Sequence, residues 1–252
     1  MGVPLNFFEP RLRLRTMADR EKVQDASPPP GRSLSDAQRA TITLVLELLE
    51  VERASVSSVT DPGRAWKVHV ADSLTGLEFG ELASAARIAD IGSGAGFPGL
   101  VLAVALPNTR VDLIESVGRK CEFIQRAIDE AEIKNARVVN ARSEELAEGE
   151  GREAYAAVTA RAVGRLSTLA ELASPLLSDG GVLVAWKGKR DPDEEAQLAN
   201  AAQELAMQPE QILHVGPYAG SEHRHLHLIR KSGSTPPGLP RRPGMAKKRP
   251  RG

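Results

Sequence analysis

The residues best placed to do chemistry stand in "ADIGSGAGFPGL", Ala89 to Leu100. Gly92, Gly94 and Gly96 alternate with other residues after the apolar run "ARIADI", and Gly99 leads into "LVLAVAL". A strand that breaks into glycines and reopens as a helix offers backbone N–H groups to a nucleotide. Side chains at Gly92, Gly94 or Gly96 would hold such a ligand off the backbone. Gly94 to Gly99, "GAGFPG", satisfies the G-x-G-x-x-G dinucleotide fingerprint, and Glu115 ends the next apolar run, where an acid grips a ribose. An NAD-dependent oxidoreductase is therefore one reading. Asp90 sits two residues before the first glycine, where dinucleotide sites usually carry apolar residues; it can serve a ligand or cap the turn.

Alternating elements must position this loop. The patterning predicts strands at 87–91, 110–115, 136–140, 156–160 and 181–187, with helical patterns at 98–106, 117–132, 165–177 and 191–207. Such alternation implies an α/β fold with a parallel sheet and helices on both faces. The last two strands, 211–216 and 223–231, are separated by a glycine- and proline-containing turn too short for a helical crossover, so they should pair antiparallel. Upstream, "SDAQ" at Ser35 reads as a capping box before "ATITLVLELLEVE". The chain divides into a flexible N-terminal extension (1–33), a helical cap (34–85), the core (86–230) and a basic, flexible tail (231–252).

The arrangement "ADIGSGAG" then "LIES" resembles the S-adenosylmethionine loop of class I methyltransferases. In that family the first acid, here Asp90, lies near the methionine end of the cofactor, and the second, here Glu115, binds the ribose hydroxyls. The ordered set "HVADSL" (69–74), "DIGSGAGFPG" (90–99), "ARSEEL" (141–146), "ARAV" (160–163), "WKG" (186–188) and "EHRHL" (222–226) narrows the resemblance. It is similar to the bacterial family, RsmG or GidB, that methylates N7 of a guanine (guanine 527) in 16S small-subunit ribosomal RNA. The resemblance implies a Rossmann-like core and cofactor contacts at Gly92, Phe97, Ser143, Glu144 and Arg161, joined by Gly94 and Gly96 of the loop. One departure is clear: the Arg that usually precedes the His of "HVADSL" is replaced by Val68, with Lys67 one residue earlier.

Guanine N7 carries a lone pair and no proton at neutral pH, so positioning and electrostatics should supply most of the catalysis. The sequence agrees by omission. "TARAV" stands where exocyclic-amine methyltransferases carry an Asp/Asn-Pro-Pro-aromatic loop, and Cys121 falls on the wrong side of the cofactor for a C5 nucleophile. Arg161 and Lys187 close predicted strands at the ligand-binding end of the sheet, where they could hold the guanine or a phosphate; a surface ion pair is the alternative. His69 could line the same pocket or pack against Asp72. His223, His225 and His227 alternate, but the chemistry needs no metal and none is expected.

Bulk properties bound the partners. Of 252 residues, 41% are hydrophobic and only 4% aromatic, so aliphatics must build the core; the net charge is zero. That neutrality hides a tail, Lys231 to Gly252, with seven basic residues and no acid, which is expected to order only against RNA phosphates. A single cysteine fits a reducing compartment, and there is no run near the roughly 18 apolar residues that cross a bilayer. The N-terminus lacks the apolar core of a secretion signal, and Asn6 disfavours myristoylation. These features fit a soluble, cytoplasmic, monomeric enzyme acting on 16S ribosomal RNA or the small subunit. A small-molecule methyltransferase is the rival reading, and the basic tail counts against it.

Overall fold

The computed structural model describes residues 33–52 and 56–252; the expected N-terminal extension, save Ser33, lies outside them. Helix α1 (Asp36–Val51) opens on the expected capping box: Gln38 N–H donates to Ser35 Oγ (3.3 Å), and Ser35 N–H to Gln38 Oε1 (2.9 Å). A composite helix then runs through Pro62–Ala65, a π-helical stretch Trp66–Ala71, Asp72–Leu74 and a 3-10 turn Thr75–Glu78. The wide π turn presents the Val68 carbonyl, His69 and Asp72 toward one region, as such turns often do at functional sites.

The core alternates β1 (Arg87–Ile91), α2 (Gly99–Ala105), β2 (Arg110–Glu115), α3 (Gly118–Glu130), β3 (Ala136–Asn140), α4 (Ser143–Glu148), β4 (Tyr155–Arg161), α5 (Leu166–Ala173), β5 (Leu177–Lys187), α6 (Pro192–Leu205), β6 (Met207–Val215) and β7 (Arg224–Lys231). The strand order is β3-β2-β1-β4-β5-β7-β6. All neighbours pair parallel except β7, which runs antiparallel to both β5 and β6. The antiparallel closing pair is as the short turn predicts, and β7 is inserted beside β5, leaving β6 at the edge.

Successive strand residues feed opposite layers, as the pleat requires. Ile88, Val111, Leu113, Val182 and Val184 pack with α1, α2 and α3. Ala89, Ile91, Val158, Leu183 and Ala185 pack with α4, α5 and α6 on the other face. Burial on both faces explains why these strands read as apolar runs rather than strict alternations.

Asp90 shares the α2 side with Ile88, and its carboxylate is fully buried. Its Oδ2 accepts from Gly99 N–H (3.1 Å) and its Oδ1 from Thr159 Oγ1 (2.8 Å), tying β1 to the start of α2 and to β4. Burial pushes its pKa up to about 6 against the pull of these hydrogen bonds. The same contact explains Gly99: a Cβ there would lie 2.8 Å from both Asp90 Oδ2 and Leu113 Cδ2. Gly99→Ala is expected to destabilise the fold by about 1–3 kcal/mol through overpacking, read in a denaturant titration; a change within 0.3 kcal/mol would contradict that packing.

The tail differs most from expectation. Residues 231–252 lie against the core and include a short helix, α7 (Met245–Lys248). Lys231 is buried, its Nζ bonded to Glu153 Oε1 (2.9 Å), the Leu177 carbonyl (2.6 Å) and Thr235 Oγ1 (2.8 Å). Arg241 grips Glu171 through two hydrogen bonds of 2.5 Å, and Arg251 pairs with Glu204. Internal carboxylates, not an outside partner, hold these three cations.

Candidate active site

The strand order reverses between the parallel neighbours β1 and β4, and at such a switch point the carboxyl ends of the strands open a crevice. The glycine loop divides it. Gly92, Gly94 and Gly96 all take positive φ (65°, 61° and 89°), the left-handed region where glycine is at home. A Cβ added at Gly94 would meet only the Gly92 carbonyl, at 3.9 Å, so the space beside Gly94 is open for close approach, whereas one at Gly92 or Gly96 would strike Val163 or Leu100.

On one side of the loop is a cavity of about 180 Å³, lined by Gly92, Glu115, Ser143, Glu144, Thr168 and Lys247 among others. Glu115 Oε2 accepts from Gly94 N–H (3.0 Å) and its Oε1 from Val117 N–H (2.9 Å). Each carboxylate oxygen has a second lone pair, so the group is fixed in place and can still accept from a diol. Ser143 Oγ donates to Glu144 Oε2 (3.0 Å) at the start of α4. A glycine cradle, a fixed buried acid and a second polar pair fit the ribose and purine of a nucleoside-bearing cofactor.

The other side is larger, about 480 Å³, and is lined by His69, Gly94, Phe97, Arg161, Lys187 and Arg224 among others. Arg161, carried on the last residue of β4, donates through Nη1 to Asp72 Oδ2 (2.9 Å) and the Val68 carbonyl (3.2 Å). Its Nη2 faces His69 Nδ1 (3.3 Å). That nitrogen must accept, so His69 carries its proton on Nε2, 3.1 Å from the Val59 carbonyl. Burial, reinforced by the Arg161 charge, lowers the His69 pKa to about 4, so the ring is neutral near pH 7. It stacks on Phe97 with centroids 4.6 Å apart and planes 5° from parallel. Lys187 Nζ donates to Glu194 Oε1 (2.6 Å) and the Gly164 carbonyl (3.0 Å) at the rim.

Asp72 organises this wall. It is 0% exposed and takes Arg161 on one oxygen, while Arg224 forks onto both through Nε (2.8 Å) and Nη2 (2.6 Å). Its backbone carbonyl also accepts from Trp186 Nε1 (2.8 Å). Asp72 was expected only as a packing partner of His69, and Arg224 was not among the expected site residues. The available signal was that each lies inside a matched segment, "HVADSL" and "EHRHL". Asp90, expected near the methionine end of the cofactor, is fully buried, hydrogen-bonded to Thr159 and Gly99, and lines neither cavity. Arg161 faces the larger cavity together with Phe97, and its pair with Asp72 is largely buried. Val68, at the position where the resemblance leads one to expect an Arg, contributes its backbone carbonyl to Arg161. Cys121 lies on α3, its thiol donating to the Glu115 carbonyl (3.1 Å), and lines neither cavity. Among the described residues no group of three or more His, Cys, Asp or Glu comes together to hold a metal ion.

This mostly parallel sheet with an antiparallel seventh strand, opened by a glycine loop with an acid on the next strand, is the class I methyltransferase fold. A SAM dependent methyltransferase from Aquifex aeolicus shares it, with TM-score 0.51 at 15% identity over 68% of this chain and 94% of that one. The family model GidB, rRNA small subunit methyltransferase G, matches residues 41–226. The ribosomal RNA small subunit methyltransferase G of Desulfitobacterium hafniense is 37% identical over 200 residues, spanning 79% of this chain and 82% of the relative. The protein of the same name from Rubrobacter xylanophilus is 40% identical over 223 residues, 85% of each. The chain belongs to the rRNA small subunit methyltransferase G family.

Proposed function

We propose that the chain transfers a methyl group from S-adenosylmethionine to N7 of one guanine, guanine 527, in 16S ribosomal RNA, acting as a cytoplasmic monomer. The observation that carries the reading is the juxtaposition across Gly94. A nucleoside-sized cleft fixed by Glu115 adjoins a larger cavity walled by Arg161, Lys187 and Arg224. Glu115, Ser143, Glu144 and Gly92 would hold the adenosine end; Phe97, Gly94 and Ser93 would face the methionine end and the incoming base. Bound there, S-adenosylmethionine supplies a methyl on a sulfonium, which N7 takes in line as the carbon–sulfur bond breaks and a thioether leaves.

No proton has to be removed from N7, and among the described residues His69, the histidine lining the larger cavity, is not free to remove one. Both ring nitrogens of neutral His69 are occupied, Nδ1 by Arg161 and Nε2 by Val59. Its work is to brace Phe97 and Arg161. The N7 lone pair must stay bare, so cationic donors are useful only elsewhere on the nucleotide, at O6 or a phosphate. Lys187 and Arg224 at the cavity rim suit those acceptors. In Arg224, Nε and Nη2 are held by Asp72, and among the described residues no partner takes Nη1.

Glu115→Ala is expected to weaken S-adenosylmethionine binding by about 1.5–3 kcal/mol, the value of hydrogen bonds to a charged acceptor. Isothermal calorimetry measures it directly. NADH binding tighter than S-adenosylmethionine in the same experiment would overturn the assignment in favour of an oxidoreductase.

A further inference from the structure

We propose that residues 239–249 form a strap that walls the adenosine end of the cofactor cleft and slows cofactor exchange, with Arg241 on Glu171 as its latch. The inference rests on reading the Glu115 cleft as the cofactor site. It concerns a segment that lies past the end of the matched family model, at residue 226.

Gly244, Ala246 and Lys247 line the same cavity as Gly92, Glu115, Ser143 and Glu144. Contact is direct. Gly244 N–H donates to Glu144 Oε1 (2.8 Å), the carboxylate whose other oxygen takes Ser143 Oγ. Thr168 Oγ1, another cavity residue, donates to the Ala246 carbonyl (3.3 Å). Gly244 sits at φ 81° with open space where a side chain would be, so the chain turns there without touching the core by anything but its backbone. The strap therefore does two things for the cleft: it encloses the cavity and fixes Glu144.

What holds the strap is built for docking. Leu239 is buried in the α5–α6 layer. Two residues on, Arg241 makes a bidentate bridge to Glu171, whose side chain is 2% exposed. Planar fork-to-carboxylate geometry of this kind is among the strong and directional polar contacts. The Arg241 guanidinium also donates to the Arg249 carbonyl (2.8 Å), closing residues 241–249 into a loop around the cleft. Arg251 adds a pair with Glu204 beyond it. Three of the seven cations expected to reach for RNA are thus committed to Glu153, Glu171 and Glu204. With the strap docked, Gly244, Ala246 and Lys247 form part of the wall of the cleft.

The test is a chase experiment on the full chain, its Arg241→Ala variant and its Arg241→Glu variant, the last setting like charge against Glu171. Release of radiolabelled S-adenosylmethionine is timed after dilution into excess S-adenosylhomocysteine, and hydrogen exchange follows residues 239–249. The variant in which those amides lose protection should release label about tenfold faster, a loss equivalent to about 1.4 kcal/mol. Unchanged release from a chain whose strap is shown by exchange to be undocked would overturn the proposal. So would slower release or tighter binding, because the strap would then obstruct the site. Persistent protection in Arg241→Glu would overturn the latch. Failure of the cofactor-site reading looks different: the unaltered chain would bind no S-adenosylmethionine, or Glu115→Ala would bind it as well as the parent.

Discussion

Asp72→Ala is expected to cost about 3–5 kcal/mol of stability, the usual result of removing one partner from a buried ion pair. The reason is the two arginines left behind. Arg161 and Arg224 have side chains only 11% and 24% exposed, and both direct their N–H groups at this single carboxylate. Without it they would remain desolvated, close together and of like charge. For a domain of this size the loss corresponds to a fall in Tm of roughly 6–20 °C. Asp72→Asn keeps the shape and one acceptor, and should fall between the parent and the alanine variant. Thermal unfolding followed by circular dichroism decides the matter, and a loss below 1 kcal/mol for Asp72→Ala would show that the carboxylate does not organise the wall.

Arg161→Ala is expected to slow methyl transfer on the order of 100-fold or more, the scale on which misplacement of a reacting group by about 1 Å is felt. Arg161 joins the Val68 carbonyl, Asp72 and His69 in one plane of contacts beside the larger cavity. Removing it frees the His69–Phe97 stack on the cavity wall and strips a guanidinium from the lining of the cavity proposed to receive the base. Lysine cannot restore these bonds, because one ammonium lacks the planar fork that spans three acceptors. Arg161→Lys should therefore recover little. Affinity for S-adenosylmethionine should change much less than in Glu115→Ala, since Arg161 does not line the Glu115 side. Single-turnover rates on small subunits, with calorimetry on the same preparations, separate the two effects. A rate within threefold of the parent would remove Arg161 from the positioning machinery.

The sheet was largely legible because its signals are local. The apolar runs at 87–91, 110–115 and 136–140 coincide with β1, β2 and β3 to the residue. Strand β6 begins four residues before its expected start, at Met207. Pro209 hides the beginning, and it is tolerated because β6 is an edge strand with a register shift at that point. The opening of β5, "LSDG", likewise reads as a turn, yet Leu177 pairs with Tyr155 across a bulge. Helix α4 is only six residues long, too short for periodicity to declare it.

What the sequence hid is carried by partners far along the chain. Asp90 occupies the position of a cofactor acid, and only the fold shows that Thr159, 69 residues later, claims it. Arg224 reaches Asp72 across 152 residues, and Gly244 reaches Glu144 across 100. No local pattern contains those pairings. The tail looked unstructured because its composition, rich in proline, glycine and cations, is that of a segment with no core of its own. Its order comes from Glu171 and Glu144, which the tail does not contain.

The central claim is tested most directly on the RNA. Small subunits lacking the modification are incubated with the chain and S-adenosylmethionine, and the RNA is then treated with borohydride and aniline, which cleave at N7-methylguanine. One new cleavage, at a single guanine of 16S RNA and dependent on both protein and cofactor, is the expected result. Methyl label recovered in an exocyclic amine, a ribose or a small molecule, with no guanine made cleavable, would contradict it.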